Sequence, residues 1–487
     1  MSVRRTKIVC TIGPSSSKKS MLERLLHAGM DVARLNFSHG DFDWHAKVIA
    51  ELRALSEKNS KPLAILQDLS GPKIRMGELH SSGVELLRGD RVGFTEGDTV
   101  VLRNEEFLLP LPVPELLRAL QPGKILLLDD GKITLRVVQI DPCSKENKRV
   151  VWAKCISGGT LHSRKGVTAP GVQLALPSVT EKDIAALKFG LEHGVDWVAV
   201  SFVRSVEDLE PIFETIKEKN SSVPVLAKIE KAEAVQNFDS ILRAVDGIMV
   251  ARGDLGVEMD FDEVPIVQKR LIRACNKAAK PVITATQMLE SMMNCPRPTR
   301  AEAADVANAI LDGSDAVMLS GETASGQFPI ESVKTMSRIA LRTEKALFQE
   351  PGYASRFEHS IDITAAVGSA ATEIAKEIGA KAILCATTTG GTVRQTSSHR
   401  PPMTILGVTP DHETYRRLAL IWGVQPCLID EVDNTDSMMS ATLEAAEQNL
   451  KLRPGDRVVL TAGVPVNEQG TTNLIRVHTI GRSLDGG

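Results

Sequence analysis

The amino-acid sequence predicts an α/β protein, in which a (β/α)₈ TIM barrel carries an inserted small β-barrel lid domain and is followed by a C-terminal open α/β domain. In the first two thirds of the chain, short apolar runs rich in Val, Ile and Leu alternate with longer amphipathic stretches. This is the pattern of parallel strands joined by helices. One connection is far too long for a barrel loop. After the last run, the alternation resumes with a new set of strands.

Eight apolar runs predict the barrel strands. They are residues 7–13, 31–37, 63–69, 196–203, 224–230, 247–253, 281–287 and 316–322. Helical patterns lie between them, for example at 18–28, 206–219, 265–279 and 301–311. Eight strand–helix units are the composition of a closed parallel barrel. We therefore assign residues 1–71 and 171–345 to it.

The connection between the third and fourth predicted strands is about a hundred residues long, whereas barrel loops are usually short. Three strand-like runs lie within it, at 83–92, 124–140 and 149–156. Gly-Asp, Asp-Asp-Gly and Asp-Pro turn signals separate these runs. Residues 72–170 are therefore predicted to form the inserted lid.

The last part of the chain predicts a third unit. A helical pattern at 329–348 runs to a break at Pro351 and Gly352, and helices then alternate with apolar runs at 382–386, 403–408, 426–429 and 457–460. This is the pattern of a smaller open α/β domain. Residues 346–487 are predicted to form it and to have a regulatory role.

The composition of the chain indicates which kinds of molecule it is expected to bind. The 487 residues include 58 basic and 61 acidic side chains, so that the net charge of -3 favours neither nucleic acid nor a membrane surface. No apolar run has the length of a membrane span. The seven cysteines have no metal-ligand spacing, which indicates a reducing, cytoplasmic compartment. A small-molecule substrate is expected.

Polar residues collect where the predicted strands end, and in barrel enzymes this rim carries the reactive groups. They are Arg34, Asn36, Ser38, Asp68, Ser201, Lys228, Glu230, Arg252, Gly253, Asp254, Thr286, Ser320 and Glu322. Because the chain has no Walker loop and no protein-kinase catalytic loop, a phosphate site here must be built differently.

The fifth predicted strand places a cation beside a carboxylate. Lys228 and Glu230 are two residues apart and point to the same side of a strand. Asp254 follows the neighbouring strand, and two carboxylates with room for water suit Mg²⁺. A structural ion pair between Lys228 and Glu230 is the alternative. Gly253 could present backbone N–H groups to an anion, or it could simply form a tight turn.

Long motifs in a fixed order resemble pyruvate kinase along essentially the whole chain. They are KIVCTIGPSS at 7–16, DVARLNFSHG at 31–40, RKGV at 164–167, VSFVR at 200–204, AKIEK at 227–231, MVARGDLGVE at 249–258, ATQMLESM at 285–292, RPTRAEAADVANAILDG at 297–313 and MLSGETASG at 318–326. The resemblance implies phosphoryl transfer from phosphoenolpyruvate to ADP, giving pyruvate and ATP in the last step of glycolysis.

The same resemblance implies roles for individual residues. Glu230 and Asp254 would hold Mg²⁺, for which Mn²⁺ can substitute, while Lys228 and Arg34 would stabilise the transferring phosphoryl group. The residues implied to bind substrate are Arg34, Ser201, Arg252, Gly253, Asp254 and Thr286, and those implied to bind nucleotide are Arg75, Lys165 and His39. Thr286 would help to deliver the proton to enolpyruvate through water.

Two further features follow from the resemblance. The lid would close over the rim and exclude water. A phosphorylated allosteric effector would bind the hydroxyl-rich loop formed by Thr387, Thr388, Thr389, Gly390, Gly391 and Thr392, although a polar turn is the alternative. The loop at 463–472 would close that site. Members of the family are typically homotetramers.

One position departs from the commoner family pattern, in which many members have glutamate where this chain has Lys73 and require K⁺. The implied K⁺ ligands, Asn36, Ser38, Asp68 and the Leu69 carbonyl, are all present. Lys73 is predicted to act as an internal cation that repels a mobile one, so that K⁺ is not required. The alternative is a lysine that simply points to solvent.

Two rival functions share part of this pattern. A related barrel that makes or breaks carbon–carbon bonds through an enolate would use Glu230 and Asp254 but would need neither the lid nor the GPKIR segment at 71–75. A catalytically inactive barrel could serve as a metabolite sensor. Intact Arg34, Lys228 and Thr286 argue against the second rival.

Overall fold

The structure is a computed structural model that describes residues 4–103, 106–142, 148–172, 174, 176–350, 362–465 and 472–483. The barrel begins at the N-terminal end of the chain. Its first elements are β1 (Lys7–Ile12), α1 (Lys19–Ala28), β2 (Val32–Asn36), α2 (Phe42–Lys58) and β3 (Ala64–Asp68).

An inserted β-rich segment follows β3. Its elements are β4 (Val84–Leu86), β5 (Arg91–Thr95), β6 (Val101–Arg103), β7 (Glu106–Pro110), α3 (Pro114–Ala119), β8 (Ile125–Leu128), β9 (Ile133–Asp141), β10 (Val150–Ser157), β11 (Gly159–Leu161) and β12 (Val167–Thr168). Hydrogen bonds link its described strands into a seven-stranded sheet in the order β12-β8-β9-β10-β5-β7-β6 and a pair β11-β4. A separate apolar core, including Phe94, Leu126 and Val151, lies under these sheets.

The chain then returns to the barrel. The elements of this second part are α4 (Glu181–Glu192), β13 (Trp197–Val200), α5 (Glu210–Glu218), β14 (Val225–Ile229), α6 (Ala232–Gln236), α7 (Phe238–Ala244), β15 (Gly247–Ala251), α8 (Arg252–Glu258), α9 (Val264–Lys277), β16 (Val282–Ala285), α10 (Arg300–Leu311), β17 (Ala316–Leu319), α11 (Gly321–Ala324) and α12 (Pro329–Leu347). Short 3₁₀ turns occur at Glu207–Leu209 and Glu290–Met293.

All eight predicted barrel strands are confirmed. They form a closed parallel barrel in the order β1-β17-β16-β15-β14-β13-β3-β2. Each strand is buried on both faces, which explains why the runs are continuously apolar rather than alternating. In β1, Ile8 and Cys10 pack against the helices, whereas Val9 belongs to the cluster inside the barrel.

The C-terminal domain is an open α/β unit, as predicted. It consists of α13 (Ile363–Glu377), β18 (Ala382–Ala386), α14 (Gly391–Ser398), β19 (Thr404–Thr409), α15 (His412–Arg417), β20 (Val424–Leu428), α16 (Thr435–Leu450), β21 (Arg457–Gly463) and β22 (Thr472–Thr479), with a 3₁₀ turn at Leu418–Leu420. Its sheet order is β20-β19-β18-β21-β22. The predicted break at Pro351 and Gly352 lies outside the described residues, as does most of the loop at 463–472.

A buried ion pair fixes this domain to the barrel. Arg400 follows α14, is 2% exposed, and contacts both carboxylate oxygens of Asp315 at 3.0 Å. Asp315 precedes β17 and also accepts a hydrogen bond from the backbone N–H of Val282 at the start of β16. No helix within the described ranges is both long enough and apolar enough to cross a membrane.

Candidate active site

Strand alternation brings four charged side chains to one place. Val32, Leu66 and Leu226 belong to the cluster inside the barrel. Because every second residue of a strand points to the same side, Arg34, Asp68, Lys228 and Glu230 continue these inward rows at the C-terminal ends of β2, β3 and β14. The sequence prediction that Lys228 and Glu230 share a face is confirmed.

These four side chains form a continuous ion network. Nζ of Lys228 lies 2.7 Å from a carboxylate oxygen of Glu230 and 3.4 Å from one of Asp68. The other oxygen of Asp68 accepts a hydrogen bond from Nε of Arg34 at 2.6 Å. Asp68 and Glu230 are each only 1% exposed. Two carboxylates and two cations therefore alternate at the mouth of the barrel, where little water screens them.

The network sets the protonation of its members. Burial opposes the positive charge of Lys228, but Asp68 and Glu230 outweigh this effect and raise its pKa. Burial would raise the pKa of Asp68, yet Arg34 and Lys228 lower it. Glu230 differs, because burial and the negative charge of Asp254 raise its pKa although Lys228 opposes them. An additional cation between Glu230 and Asp254 would relieve their repulsion.

Ser201, at the end of β13, ties the network to the backbone. Its hydroxyl accepts a hydrogen bond from Nζ of Lys228 at 2.8 Å and donates one to the carbonyl of Leu69 at 2.7 Å. Thr11, which the sequence analysis missed, accepts a hydrogen bond from Arg34 at 2.8 Å. Thr11 is the next-to-last residue of β1 and lies at the same end of the barrel as the predicted polar residues.

The predicted K⁺ ligands lie on two neighbouring strands. Asn36 ends β2 and pairs in register with Asp68 at the end of β3. The side-chain oxygen of Asn36 accepts a hydrogen bond from the backbone N–H of Ser38 at 3.1 Å. The carbonyl of Leu69 follows directly after Asp68. The four residues therefore share one segment of the rim.

Gly253 and Asp254 open α8, one strand beyond Glu230. The backbone N–H of Gly253 donates a hydrogen bond to the hydroxyl of Thr286 at 2.7 Å, which links the end of β15 to the end of β16. The guanidinium of Arg252 turns away from this point and binds the carboxylate of Asp305 at 2.7 Å. Its side chain is thus engaged with α10.

A cavity of about 760 Å³ joins most of these groups. Its lining includes the predicted residues Arg34, Asn36, His39, Lys228, Asp254 and Thr286. Ser320 also lines it, and its buried hydroxyl has no hydrogen-bond partner within the protein. The sequence analysis noted Ser320 at a strand end but gave it no role. An unsatisfied buried hydroxyl in the wall of a cavity is expected to meet a bound polar molecule.

The inserted segment places two of the predicted nucleotide residues side by side. The backbone of Arg75 bridges to Gly166, so that Arg75 and Lys165 are neighbours in space. Nζ of Lys165 pairs with Asp129 at 2.9 Å. Asp129 and Asp130 belong to the turn between β8 and β9, and the sequence analysis took this pair only as a turn signal.

Lys73 lies between the insertion and the barrel. Its Nζ is 3.5 Å from a carboxylate oxygen of Asp130 and 3.8 Å from one of Asp254. The side chain is exposed, at 38%, and both carboxylate contacts are long. Its ammonium therefore lies beside the predicted metal ligand Asp254 rather than in contact with the predicted K⁺ ligands.

The predicted effector loop joins β18 to α14. The hydroxyl of Thr387 accepts a hydrogen bond from the backbone N–H of Gly390 at 2.9 Å, and Gly390 has a left-handed conformation with φ 81°. A cavity of about 850 Å³ adjoins the loop and is also lined by Arg394 and by Lys280 of the barrel. Acidic residues line it as well, namely Asp246, Asp362, Asp411, Glu431 and Asp433.

Comparisons with known proteins agree with this geometry. The sequence model described as the pyruvate kinase barrel domain matches residues 3–333, and that of the pyruvate kinase alpha/beta domain matches residues 365–478. The chain belongs to the pyruvate kinase family. It is 46% identical over 479 residues to the pyruvate kinase of Geobacillus stearothermophilus, covering 98% of this chain and 80% of that protein. It is 44% identical over 490 residues to that of Staphylococcus aureus strain MRSA252, covering 100% and 82%.

Membership of the pyruvate kinase family makes the chain a phosphotransferase, as predicted from its sequence.

The carboxylates of the site can be compared with the ligands that Mg²⁺ prefers. Within the described residues, no group of three or more His, Cys, Asp or Glu side chains could hold a metal ion unaided. Magnesium is commonly held by one or two carboxylates, with water and substrate phosphate completing its shell. Glu230 and Asp254 fit that mode of binding.

Proposed function

We propose that this protein transfers the phosphoryl group of phosphoenolpyruvate to ADP, forming pyruvate and ATP in the last step of glycolysis. The alternating network of Arg34, Asp68, Lys228 and Glu230 beside a cavity is the observation that supports this reaction most directly. In the reaction, the bond between the enol oxygen and phosphorus breaks, and a bond from phosphorus to the terminal ADP oxygen forms. The released enolate takes up a proton at its methylene carbon.

Lys228 and Arg34 stabilise the phosphoryl group as it moves. Phosphoryl transfer has a loose transition state with charge spread over the equatorial oxygens, so that fixed cations do most of the catalysis. Both side chains line the cavity and are 11% exposed. The carboxylates of Asp68 and Glu230 hold the two cations in place, which avoids reorganisation during the reaction.

Glu230 and Asp254 would hold Mg²⁺, or Mn²⁺ in its place, and the ion would supply positive charge to the phosphoryl and enolate oxygens. Each oxygen of Glu230 already accepts one contact, from Lys228 at 2.7 Å or from the backbone N–H of Phe202 at 2.9 Å. A carboxylate oxygen has a second lone pair, so that metal binding remains open to it.

The enolate half of the substrate is placed at Gly253, Thr286 and Ser201. The N–H of Gly253 donates to Thr286, so that a carboxylate at the start of α8 would bind the backbone N–H groups that follow it. Thr286 lines the cavity and holds its hydroxyl on the N–H of Gly253. We assign Thr286 a part in delivering the proton to the enolate, through water.

The nucleotide is assigned to His39 on the barrel rim and to Arg75 and Lys165 at the edge of the insertion. Lys165 is 40% exposed and shares Asp129 with Lys132, so that it can exchange this carboxylate for a phosphate. The insertion, residues 72–170, acts as a lid. Its closure would bring these cations to the phosphates and exclude water.

A coupled assay that follows pyruvate formation from phosphoenolpyruvate, ADP and Mg²⁺ tests the reaction. Formation of pyruvate and ATP in equal amounts is expected. Carbon–carbon cleavage of a longer keto acid would favour the lyase alternative, whereas pyruvate formation without ADP would indicate hydrolysis of phosphoenolpyruvate instead of phosphoryl transfer. Complete inactivity with retained binding of metabolites would favour a sensor.

Potassium independence is proposed from Lys73. Its ammonium lies 3.8 Å from Asp254 at the rim of the site, where it would supply the positive charge that a K⁺ ion would otherwise add. Asp68, one of the implied K⁺ ligands, is already neutralised by Arg34 and Lys228. We expect full activity without K⁺ and a dependence on K⁺ in the Lys73→Glu variant. Rates are measured in buffers with an organic counter-cation, with and without added KCl.

Lys132→Glu is the matched control, because Lys132 also pairs with the lid turn, through Asp129, at 3.1 Å. This variant should stay independent of K⁺. Strong activation of the unmodified enzyme by KCl would show that Lys73 does not replace the ion.

Allosteric control is proposed for the hydroxyl-rich loop of residues 387–392. The loop and the N-terminus of α14 could hold a phosphate through hydroxyls and backbone N–H groups. Some phosphorylated metabolite should therefore shift the saturation curve for phosphoenolpyruvate, and the Thr387→Ala/Thr389→Ala variant should lose that shift.

Turnover at saturating substrate should persist in this double variant, since the loop lies outside the barrel rim. Thr404→Ala, at the start of β19, is a control outside the loop. A screen of sugar phosphates and nucleotides that finds no shift in the unmodified enzyme would remove the effector site. A homotetramer and a cytoplasmic location remain predictions, which sedimentation and cell fractionation can test.

A further inference from the structure

Two consecutive residues after β16 adopt a backbone conformation that their side chains disfavour. Thr286 has φ 69° and Gln287 has φ 54°. Left-handed backbone is rare for non-glycine residues, and a β-branched residue such as Thr is a marked outlier there. Such strain persists only where neighbouring contacts fix it. A specific set of contacts must therefore hold this segment.

Arg252 provides these contacts. Its guanidinium donates hydrogen bonds to the carbonyls of Ala285 at 3.3 Å and Thr286 at 2.7 Å, and it contacts the sulfur of Met288. It thus spans the strained segment from one side. Because Arg252 directly precedes Gly253, the same residue also fixes the backbone N–H that binds the hydroxyl of Thr286.

Asp305 holds the opposite side of the guanidinium. Its carboxylate lies 2.7 Å from Nη1 of Arg252 and is supported by α10, whose start is closed by a capping box of Thr299 and Glu302. Gln268 of α9 adds a longer contact at 3.4 Å. The planar guanidinium suits this arrangement, since a lysine could not reach several acceptors in one plane.

The hydroxyl of Thr286 is fully oriented as a result. It accepts the hydrogen bond from Gly253 and donates one to the carbonyl of Ala285 at 2.7 Å. That carbonyl is one of the two that Arg252 binds. A shift of the guanidinium would therefore move the hydroxyl and the peptide that carries it.

We propose that Arg252 and Asp305 are positioning residues for Thr286: the pair clamps the segment after β16 in its left-handed conformation and sets the hydroxyl, whose remaining lone pair holds the water that gives its proton to the enolate. This inference rests on the proposed role of Thr286. It gives Arg252 a role beside the predicted one in substrate binding, since its side chain contacts Asp305 of α10.

The test is a double-mutant cycle between Asp305→Asn and Thr286→Ala. Misplacing a catalytic group by about 1 Å can lower a rate by roughly 10²-fold. We expect Asp305→Asn to lower kcat for pyruvate formation by about 10- to 100-fold, with much smaller changes in KM. In the Thr286→Ala background, Asp305→Asn should have little further effect, because the group that it positions is absent.

A second readout isolates the proton step. Exchange of the methyl hydrogens of pyruvate with D₂O, in the presence of Mg²⁺ and inorganic phosphate, is followed by NMR. Asp305→Asn should slow this exchange as much as it lowers kcat. Asp208→Asn is the matched control, because it breaks an ion pair with Arg204 of 2.8 Å that does not contact Thr286. This control should exchange at the wild-type rate.

The outcomes separate the clamp from the role of Thr286. If Thr286→Ala leaves kcat and exchange unchanged, Thr286 does not deliver the proton and the clamp has no function. If Thr286→Ala is impaired but Asp305→Asn is not, the clamp alone is refuted. Additive losses in the double variant would also refute it, since they indicate a general structural effect. Should Asp305→Asn fail to fold in a thermal melt, Arg252→Lys replaces it in the same cycle.

Discussion

Replacing Glu230 by Gln, or Asp254 by Asn, is expected to lower turnover by on the order of 10²- to 10³-fold, the loss seen when one fixed electrostatic contact to a transition state is removed. Glu230 is buried between Lys228 and the backbone of Phe202, and its pKa is raised by burial and by the charge of Asp254. The proposed Mg²⁺ would lie between these two carboxylates and relieve their repulsion. Steady-state rates across a Mg²⁺ titration measure the loss.

Direct binding of Mn²⁺, followed by electron paramagnetic resonance, distinguishes a lost metal ligand from a lost catalytic group. Both variants should bind Mn²⁺ more weakly while their thermal unfolding shows a folded barrel. Glu233→Gln is the control, since Glu233 lines the adjoining cleft with Glu230 and Asp254. Near-normal activity of Glu230→Gln or Asp254→Asn at ordinary Mg²⁺ concentrations would contradict the metal assignment.

Replacing Lys228 by Met is expected to lower kcat by roughly 10²- to 10³-fold with a much smaller change in KM. The ammonium is held by Asp68 and Glu230 before substrate arrives, so that it is ready for the charge of the transition state. The remaining network should persist, because Asp68 keeps Arg34 at 2.6 Å and Glu230 keeps the N–H of Phe202 at 2.9 Å.

Lys231→Met is the matched control for this variant. Lys231 follows the same strand but pairs with Glu258 and lies over the ring of Phe202, away from Asp68. It should retain most of kcat. An increase in KM with unchanged kcat in Lys228→Met would instead make Lys228 a binding residue or only a structural partner of Glu230.

The barrel could be predicted from sequence because its strands are buried on both faces. The runs that form the barrel strands are therefore continuously apolar. The number of residues between consecutive runs shows where a helix or an insertion must lie. Strand alternation also fixed the relation of Lys228 to Glu230, since direction within one strand is a local property. Predicted ends were longer than the observed strands by a few residues. The predictions included loop residues at the rim because these residues have the polar and glycine pattern of strand ends, although they lie beyond the hydrogen-bond ladder.

The directions of side chains beyond the strand ends depended on contacts between distant parts of the chain. Arg252 carries the same motif signal as Gly253 and Asp254, yet only the packing of α10 against the barrel turns its guanidinium to Asp305. Lys73 is similar, because its position beside Asp254 depends on where the insertion meets the rim. Composition and periodicity determine which elements form and which face is buried, because these depend on neighbours in sequence. The partner of a long charged side chain in a loop is decided by tertiary packing, since many rotamers are open to it until the fold places an opposite charge within reach.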